Sequence, residues 1–251
     1  LNLDLDIKRN DNKTFDIQIR IGENTTYLIP KINEFLKCKE VKGQLRINGE
    51  FLYNSSSMKF KEEDERLLNY IVLNLNKEDF FKVIEGKILR VNEEYIEEIL
   101  KLVSDNRKVK LNYDYINYES YIIKEDMPLS FTVKIDFDKI ILTTKKKLPI
   151  PLNDNFTVFL NDRKIYLPSD NQINNYKVLY HKVKVNGKIE YPKQEAYINK
   201  LFNLLSNISK DIMLGEGVKN LCKNYYKLNF SLKMKITILN VKLLLIILEK
   251  Q

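Results

Sequence analysis

Phe15 to Cys38 reads FDIQIRIGENTTYLIPKINEFLKC. FDIQIRIG alternates apolar and polar residues, the period-two pattern of a half-buried strand. ENTT supplies a hairpin turn into YLIP. Pro30 then suits the first turn of a helix, in which Ile32, Phe35 and Leu36 recur at helical spacing. A strand pair feeding straight into an amphipathic helix sets the expected class: α+β, with antiparallel strands and packed helices.

The same reading extends outward. LNLDLDIK, at the start of the chain, alternates as a strand does. LRINGEFLY reads as a second hairpin with Asn48-Gly49 at its turn. KFKEEDERLLNYIVLNL reads as a helix with an acidic first turn, as the helix dipole favours. A helix is expected over 92–104, NEEYIEEILKLVS, capped by Asn92 and striped by Tyr95, Ile96, Ile99, Leu100 and Val103. Its Glu93, Glu94, Glu97 and Glu98 fall on or near the wet face, the ordinary place for a run of glutamates. From Lys108 to Leu167 the pattern returns to strands. A helix near 171–182, the stretch VKVNGKIEY and a helix over EAYINKLFNLLS follow.

Two stretches look alike. RINGEFLY (Arg46 to Tyr53) and KVNGKIEY (Lys184 to Tyr191) stand roughly 138 positions apart, each after a Tyr-Leu strand end and a helix, and each before an amphipathic helix. Self-similarity of this kind points to a duplicated strand-strand-helix-hairpin-helix unit. The competing reading is that any two Asn-Gly hairpins resemble each other. The expected division is a first α+β unit over 1–91, then a linking helix and second α+β unit over 92–232, continuous with the first as one domain. An aberrant tail occupies 233–251.

Composition narrows the class. With 251 residues, 44% hydrophobic and 30% charged, the chain is globular in type rather than disordered. Its formal charge of +8 invites an acidic partner such as nucleic acid. Lys, Asn and Ile are abundant and Gly, Pro and Trp scarce, which an A/T-rich gene produces without selection for binding. Cys38 and Cys222 lie far apart, and His181 is the single histidine. No four-ligand zinc site can be assembled from them. They read as buried free thiols of a reducing, cytoplasmic setting. No signal peptide pattern is present at the start. The chain begins at Leu1, without Met, which suggests a fragment.

Motifs for chemistry are absent. The seven glycines form neither a phosphate-cradling G-x-x-x-x-G-K-[ST] loop nor G-x-G-x-x-G. No G-x-S-x-G elbow occurs. Asp136 and Asp138 lack further oxygen ligands at calcium-loop spacing. No cofactor is expected and no catalytic residue is assigned. Lys145, Lys146 and Lys147 form a basic knot in a loop, and Arg107, Lys108 and Lys110 a second group; these six are the candidate nucleic-acid contacts. Tyr113, Tyr115, Tyr118 and Tyr121 stand beside charges and suit base stacking, although half-buried strand positions explain them as well.

One family resemblance emerges. IQIRIGENTTYLIPKINEFLKC resembles the opening of the bacterial SNF2 helicase-associated domain, through Gly22, Tyr27, Ile32, Glu34, Phe35 and Leu36. Phe60, Asp64, Leu67 and Leu68 continue the likeness, and KIYLP…VNGKIEY…DIMLGEGVKN resembles the family's second half. INGEFLYN departs where many relatives carry Gly-Lys in the hairpin. The resemblance spans nearly all of 1–232 and implies an accessory domain in the N-terminal part of a bacterial Snf2-type DNA translocase, without an ATP site of its own. It implies the Snf2 ATPase lobes of the parent protein as partner, and possible contact with double-stranded DNA. The alternatives are a stand-alone protein-interaction module without nucleic-acid binding and an enzyme with an unrecognised carboxylate site.

The ending SLKMKITILNVKLLLIILEKQ is too short and too interrupted, at Asn240 and Lys242, to span a membrane. Where it stands, the family has an acidic turn and an alternating strand. A one-base frameshift near codon 233 reconciles the two: read from the G of Met234 into Lys235, the shifted frame opens on Glu. The expectation is a truncated translocase that has lost its motor.

Overall fold

Leu3, Leu5 and Ile7 face the same way as Ile17, Ile19 and Ile21, because strand pairing sets Leu3 opposite Ile21, Leu5 opposite Ile19 and Ile7 opposite Ile17. All six are buried, so one face of this ribbon must be covered. A computed structural model describes residues 1–75, 77 and 80–219. In chain order its elements are β1 (Asn2–Arg9), β2 (Thr14–Gly22), β3 (Tyr27–Leu28), α1 (Ile32–Glu40), β4 (Gln44–Arg46), β5 (Leu52–Asn54), α2 (Glu62–Asn74), β6 (Phe81–Ile84), β7 (Ile88–Asn92), α3 (Ile96–Leu102), β8 (Lys108–Tyr113), β9 (Ile116–Ile123), β10 (Ser130–Asp136), β11 (Lys139–Thr144), β12 (Ile150–Pro151), β13 (Phe159–Asn161), β14 (Lys164–Tyr166), α4 (Asp170–Asn186), β15 (Lys188–Pro192), α5 (Glu195–Ile208) and β16 (Asp211–Leu214). The class is α+β, as the sequence predicts.

The chain forms two units interleaved in sequence. The first takes Leu1–Met127 and Pro149–Lys177; the second takes Pro128–Leu148 and the chain from Val178 on. The first unit reaches past residue 91 because β8 lies parallel to β1, with Ile7 opposite Leu111. Its ten-stranded sheet runs β12-β13-β14-β9-β8-β1-β2-β7-β6, with β3 on β2. Ile32, Phe35 and Leu36 of α1, Leu67, Leu68 and Ile71 of α2, and Ile96, Ile99 and Leu100 of α3 join the buried strand residues in one cluster. The tilted rings of Phe35 and Tyr53, 5.1 Å apart, belong to it, and burial pushes the Tyr53 hydroxyl up to about 12. Burial also raises the thiol of Cys38; Cys222 lies outside the described residues.

Gly22 has a physical reason to be glycine. A Cβ there lies 1.8 Å from the carbonyl oxygen of Thr25, across the turn that returns the chain from β2 to β3. That atom is backbone and cannot swing aside. Gly22→Ala is expected to destabilise the protein by about 3 kcal/mol, the upper range for forced overpacking, read as a drop in the urea midpoint. A cost under about 0.5 kcal/mol means that the turn is not held as described.

Three local expectations are corrected. Helix α3 starts at Ile96, not at Asn92, because Asn92 is still paired in β7 opposite Thr14. Glu93 therefore lies off the wet face: it is 5% exposed, its amide donates to the carbonyl of Lys13 (3.0 Å), and its carboxylate lies 3.8 Å from the Arg9 guanidinium. Burial pushes the pKa of its carboxyl above the ordinary value.

The third correction concerns the look-alike stretches. RINGEFLY is the hairpin β4–β5, whose turn is closed by the Asn48 carboxamide oxygen accepting the amides of Glu50 and Phe51 (2.9 and 2.7 Å). KVNGKIEY is not a hairpin. Ile173, Tyr176, Tyr180 and Val183 are buried at helical spacing, so α4 runs through to Asn186. Gly187, at φ +67°, ends it by donating its amide to Val183 (2.7 Å), the usual role of a glycine past a helix C-terminus. The two stretches share letters and adopt different local structures.

The second unit is built on a four-stranded sheet in the order β15-β11-β10-β16. Phe131, Val133, Ile140, Leu142 and Ile189 are buried on its inner side, together with Leu201, Leu205 and Ile208 from α5.

Candidate functional site

Strand pairing decides which lysines of the second unit are neighbours. Strands β10 and β11 are antiparallel, with Phe131 opposite Thr144, so β10 begins where β11 ends. Strand β15 also begins there, with Lys188 opposite Thr143. Strand β16 runs parallel to β10, with Asp211 opposite Ser130. This end of the sheet thus receives the Lys145–Lys147 loop from β11, Lys188 from β15 and Lys210 just ahead of β16. It also receives Lys182 and Lys184, because the last turns of α4 pass directly through Gly187 into β15. Lys145, Lys146, Lys147, Lys182, Lys184, Lys188 and Lys210 are all exposed. Helices α4 and α5 both terminate toward this end, and the partial negative charge of their C-termini offsets part of the mutual repulsion.

Two carboxylates temper the cluster. Asp211 accepts from Ser130 and from Lys145 (2.9 Å), and those bonds hold its carboxyl below the usual range. Glu190 bridges Lys139 (2.9 Å) and Lys188 (2.5 Å). The two ammonium groups hold its carboxyl down to about 2. A carboxyl depressed in the folded state stabilises above its unfolded value and loses that contribution as pH falls through the folded value, here a window from about 4.5 to about 2. The Glu190 side-chain carbon resonance is expected to titrate near pH 2 by NMR. A midpoint above 4 means that the bridge is not populated in solution.

Charge is segregated along the same division. Residues 1–127 and 149–177 hold 24 Lys and Arg against 27 Asp and Glu, a net of −3. Residues 128–148 and 178–219 hold 12 against six, a net of +6, and residues 220–251 hold six against one. The excess that gives the chain its +8 therefore lies outside the first unit.

The six expected contacts fall into different surroundings. Lys146 and Lys147 are exposed in the second unit, and Lys145 is engaged by Asp211. The other three belong to the first unit. Arg107 donates to Asp64 and to the carbonyl of Leu3 (3.2 Å), with its side chain 13% exposed and that of Asp64 only 2%. Lys108 pairs with Glu119 (2.8 Å). Lys110 lines a 710 Å³ cleft on the open, polar face of the large sheet, with Asp6, Lys8, Asp16, Asn112 and Asn117. Arg90 holds Asp16 there through two bonds of 2.7 and 2.8 Å. Of the four tyrosines, Tyr113 and Tyr118 pack against the core, while Tyr115 and Tyr121 are exposed. Among the described residues no group of three or more His, Cys, Asp or Glu side chains is placed to hold a metal ion. No described helix is long and apolar enough to cross a membrane. The expected tail lies outside the described residues.

Sequence reasoning missed Lys182, Lys184, Lys188 and Lys210. They lie 35–65 positions from the Lys145–Lys147 knot, and only the pairing of four strands brings them to it.

The described residues form an α+β scaffold with a lysine cluster at one end of the second unit. The profile described as bacterial SNF2 helicase associated matches residues 87–245. That is more than half of the chain, and the chain belongs to this family. The match contains the KIYLP, VNGKIEY and DIMLGEGVKN stretches and continues past residue 233; the opening stretch around Gly22 lies ahead of it. No curated protein and no solved structure matches at a significant level.

Proposed function

We propose that this chain is a non-catalytic accessory domain of a bacterial SNF2-type DNA-dependent ATPase, and that it holds double-stranded DNA for the motor. The supporting observation is the gathering of seven exposed lysines at one end of the second unit, in a chain whose first unit carries no positive excess. A cluster of this kind suits phosphates, which dominate affinity for DNA and need no base reading. Lys146 and Lys147 carry the contact, together with Lys182, Lys184 and Lys210. Arg107 acts in the fold instead. The test is fluorescence anisotropy of a labelled 30-base-pair duplex, titrated with the protein from 50 to 200 mM salt. Binding that weakens steeply with salt and is indifferent to sequence is expected. Absence of binding at 50 mM salt refutes the reading.

A further inference from the structure

The opposite end of the same unit carries a different surface. Strands β10 and β11 are joined by the two-residue loop Phe137-Asp138, between the paired Asp136 and Lys139. Phe137 is 92% exposed, more than any other large apolar residue described. Its φ is +50°, at the first position of a tight hairpin loop, where positive φ favours glycine. The ring thus stands in water and gains no packing at its own site. It is not isolated. Strand register puts Pro192 opposite Lys139, and the amide of Lys193 donates to the carbonyl of Asp138 (2.7 Å). Tyr191 and Tyr197 stack beside this segment at 5.8 Å, with Tyr197 partly exposed. Aromatic residues grouped at a projecting tip are the composition of a protein-binding anchor.

Charge selects the kind of partner. Asp136 and Asp138 flank Phe137 in sequence, and both are exposed. Lys139, which follows, is already held by Glu190. The exposed Lys193 offsets one of the two carboxylates, and the negative charge that remains suits an apolar pocket rimmed by Lys or Arg. The tip lies five residue steps along β10 from the lysine end, about 17 Å at the rise of an extended strand. The two surfaces are therefore separate on one rigid ribbon.

We infer that Phe137, framed by Asp136 and Asp138, is the anchor by which this domain docks on the ATPase lobes of its SNF2 motor, inserting into an apolar pocket with a basic rim. The inference rests on the accessory-domain reading above and adds the docking surface to it. The motor is held at one end of the second unit while DNA is held at the other.

The test is calorimetric titration of the whole chain with purified ATPase lobes of a bacterial SNF2 helicase, using wild type, Phe137→Ser and Asp136→Asn/Asp138→Asn. Duplex DNA affinity and far-UV circular dichroism are measured on the same samples. Phe137→Ser is expected to weaken motor binding at least tenfold, and the double Asn variant to weaken it and flatten its salt dependence, with DNA affinity and fold unchanged. Equal binding by Phe137→Ser overturns the inference. So does a wild-type chain that does not bind the lobes, or a Phe137-dependent dimer of the chain seen by sedimentation. Failure of DNA binding alone counts against the proposed DNA role and leaves the motor titration to decide this one.

Discussion

Arg107→Ala is expected to lower the unfolding free energy by about 3–5 kcal/mol, the range for breaking a buried ion pair by removing one partner. Asp64 stands in the first turn of α2, and its carboxylate is almost wholly enclosed. One of its oxygens accepts from Arg107 and the other has no hydrogen-bond partner. Without the guanidinium, a charge is left in a low-dielectric site with nothing to compensate it. The same guanidinium also donates to the carbonyl of Leu3 in β1, so one side chain ties α2 to the sheet from the loop before β8. The chain has no Trp, so urea unfolding is followed by far-UV circular dichroism. The double variant Asp64→Leu/Arg107→Met removes both charges and keeps the volume, and it is expected to recover most of the loss. A loss below about 1 kcal/mol for Arg107→Ala, or no recovery in the double variant, means that the pair does not act as a buried unit. The double variant is also expected to bind DNA as wild type does, since Arg107 faces Asp64 rather than solvent.

That residue shows where the sequence was legible and where it was not. Periodicity is a local property, so β1, β2 and α1 could be read from LNLDLDIK, FDIQIRIG and KINEFLKC, and their buried residues are the apolar ones of the pattern. Exposure of a single charge is a tertiary property. Arg107 and Lys108 are neighbours in a basic stretch, yet one meets Asp64, 43 residues earlier, and the other meets Glu119 across a hairpin. Nothing in their spacing separates the two. Glu93 escaped for the same reason: a glutamate run looks solvated until strand pairing of Asn92 draws the next residue inward. Asn186-Gly187 failed differently. Asn-Gly serves both a hairpin and a helix end, and the deciding signal was the continued burial at Tyr180 and Val183. That spacing was present in the letters and was outweighed by the likeness to the hairpin around Asn48.

Neutralising Lys146, Lys147, Lys182 and Lys210 together to alanine is expected to weaken duplex DNA binding roughly 10³-fold near 0.1 M salt. Each phosphate contact contributes about 0.9 to the slope of log affinity against log salt, so removing four flattens that slope by about 3.6. These four are chosen because they are exposed and do not appear among the described ion pairs, whereas Lys145 and Lys188 are engaged by Asp211 and Glu190. The set also tests placement rather than net charge. Alanine at Lys37, Lys59, Lys61 and Lys82, exposed lysines of the first unit, removes the same charge from elsewhere and is expected to change affinity by no more than about twofold. The comparison is informative because screening limits distant charges: at 0.1 M salt the Debye length is about 10 Å, so four lysines outside the contact add little. If both sets weaken binding equally, DNA attraction follows the overall charge of the chain, and the lysine end of the second unit has no special role. If only the second-unit set matters, the strand order that brings Lys182, Lys188 and Lys210 to the Lys145–Lys147 loop is what creates the site, since no shorter segment of the chain contains it.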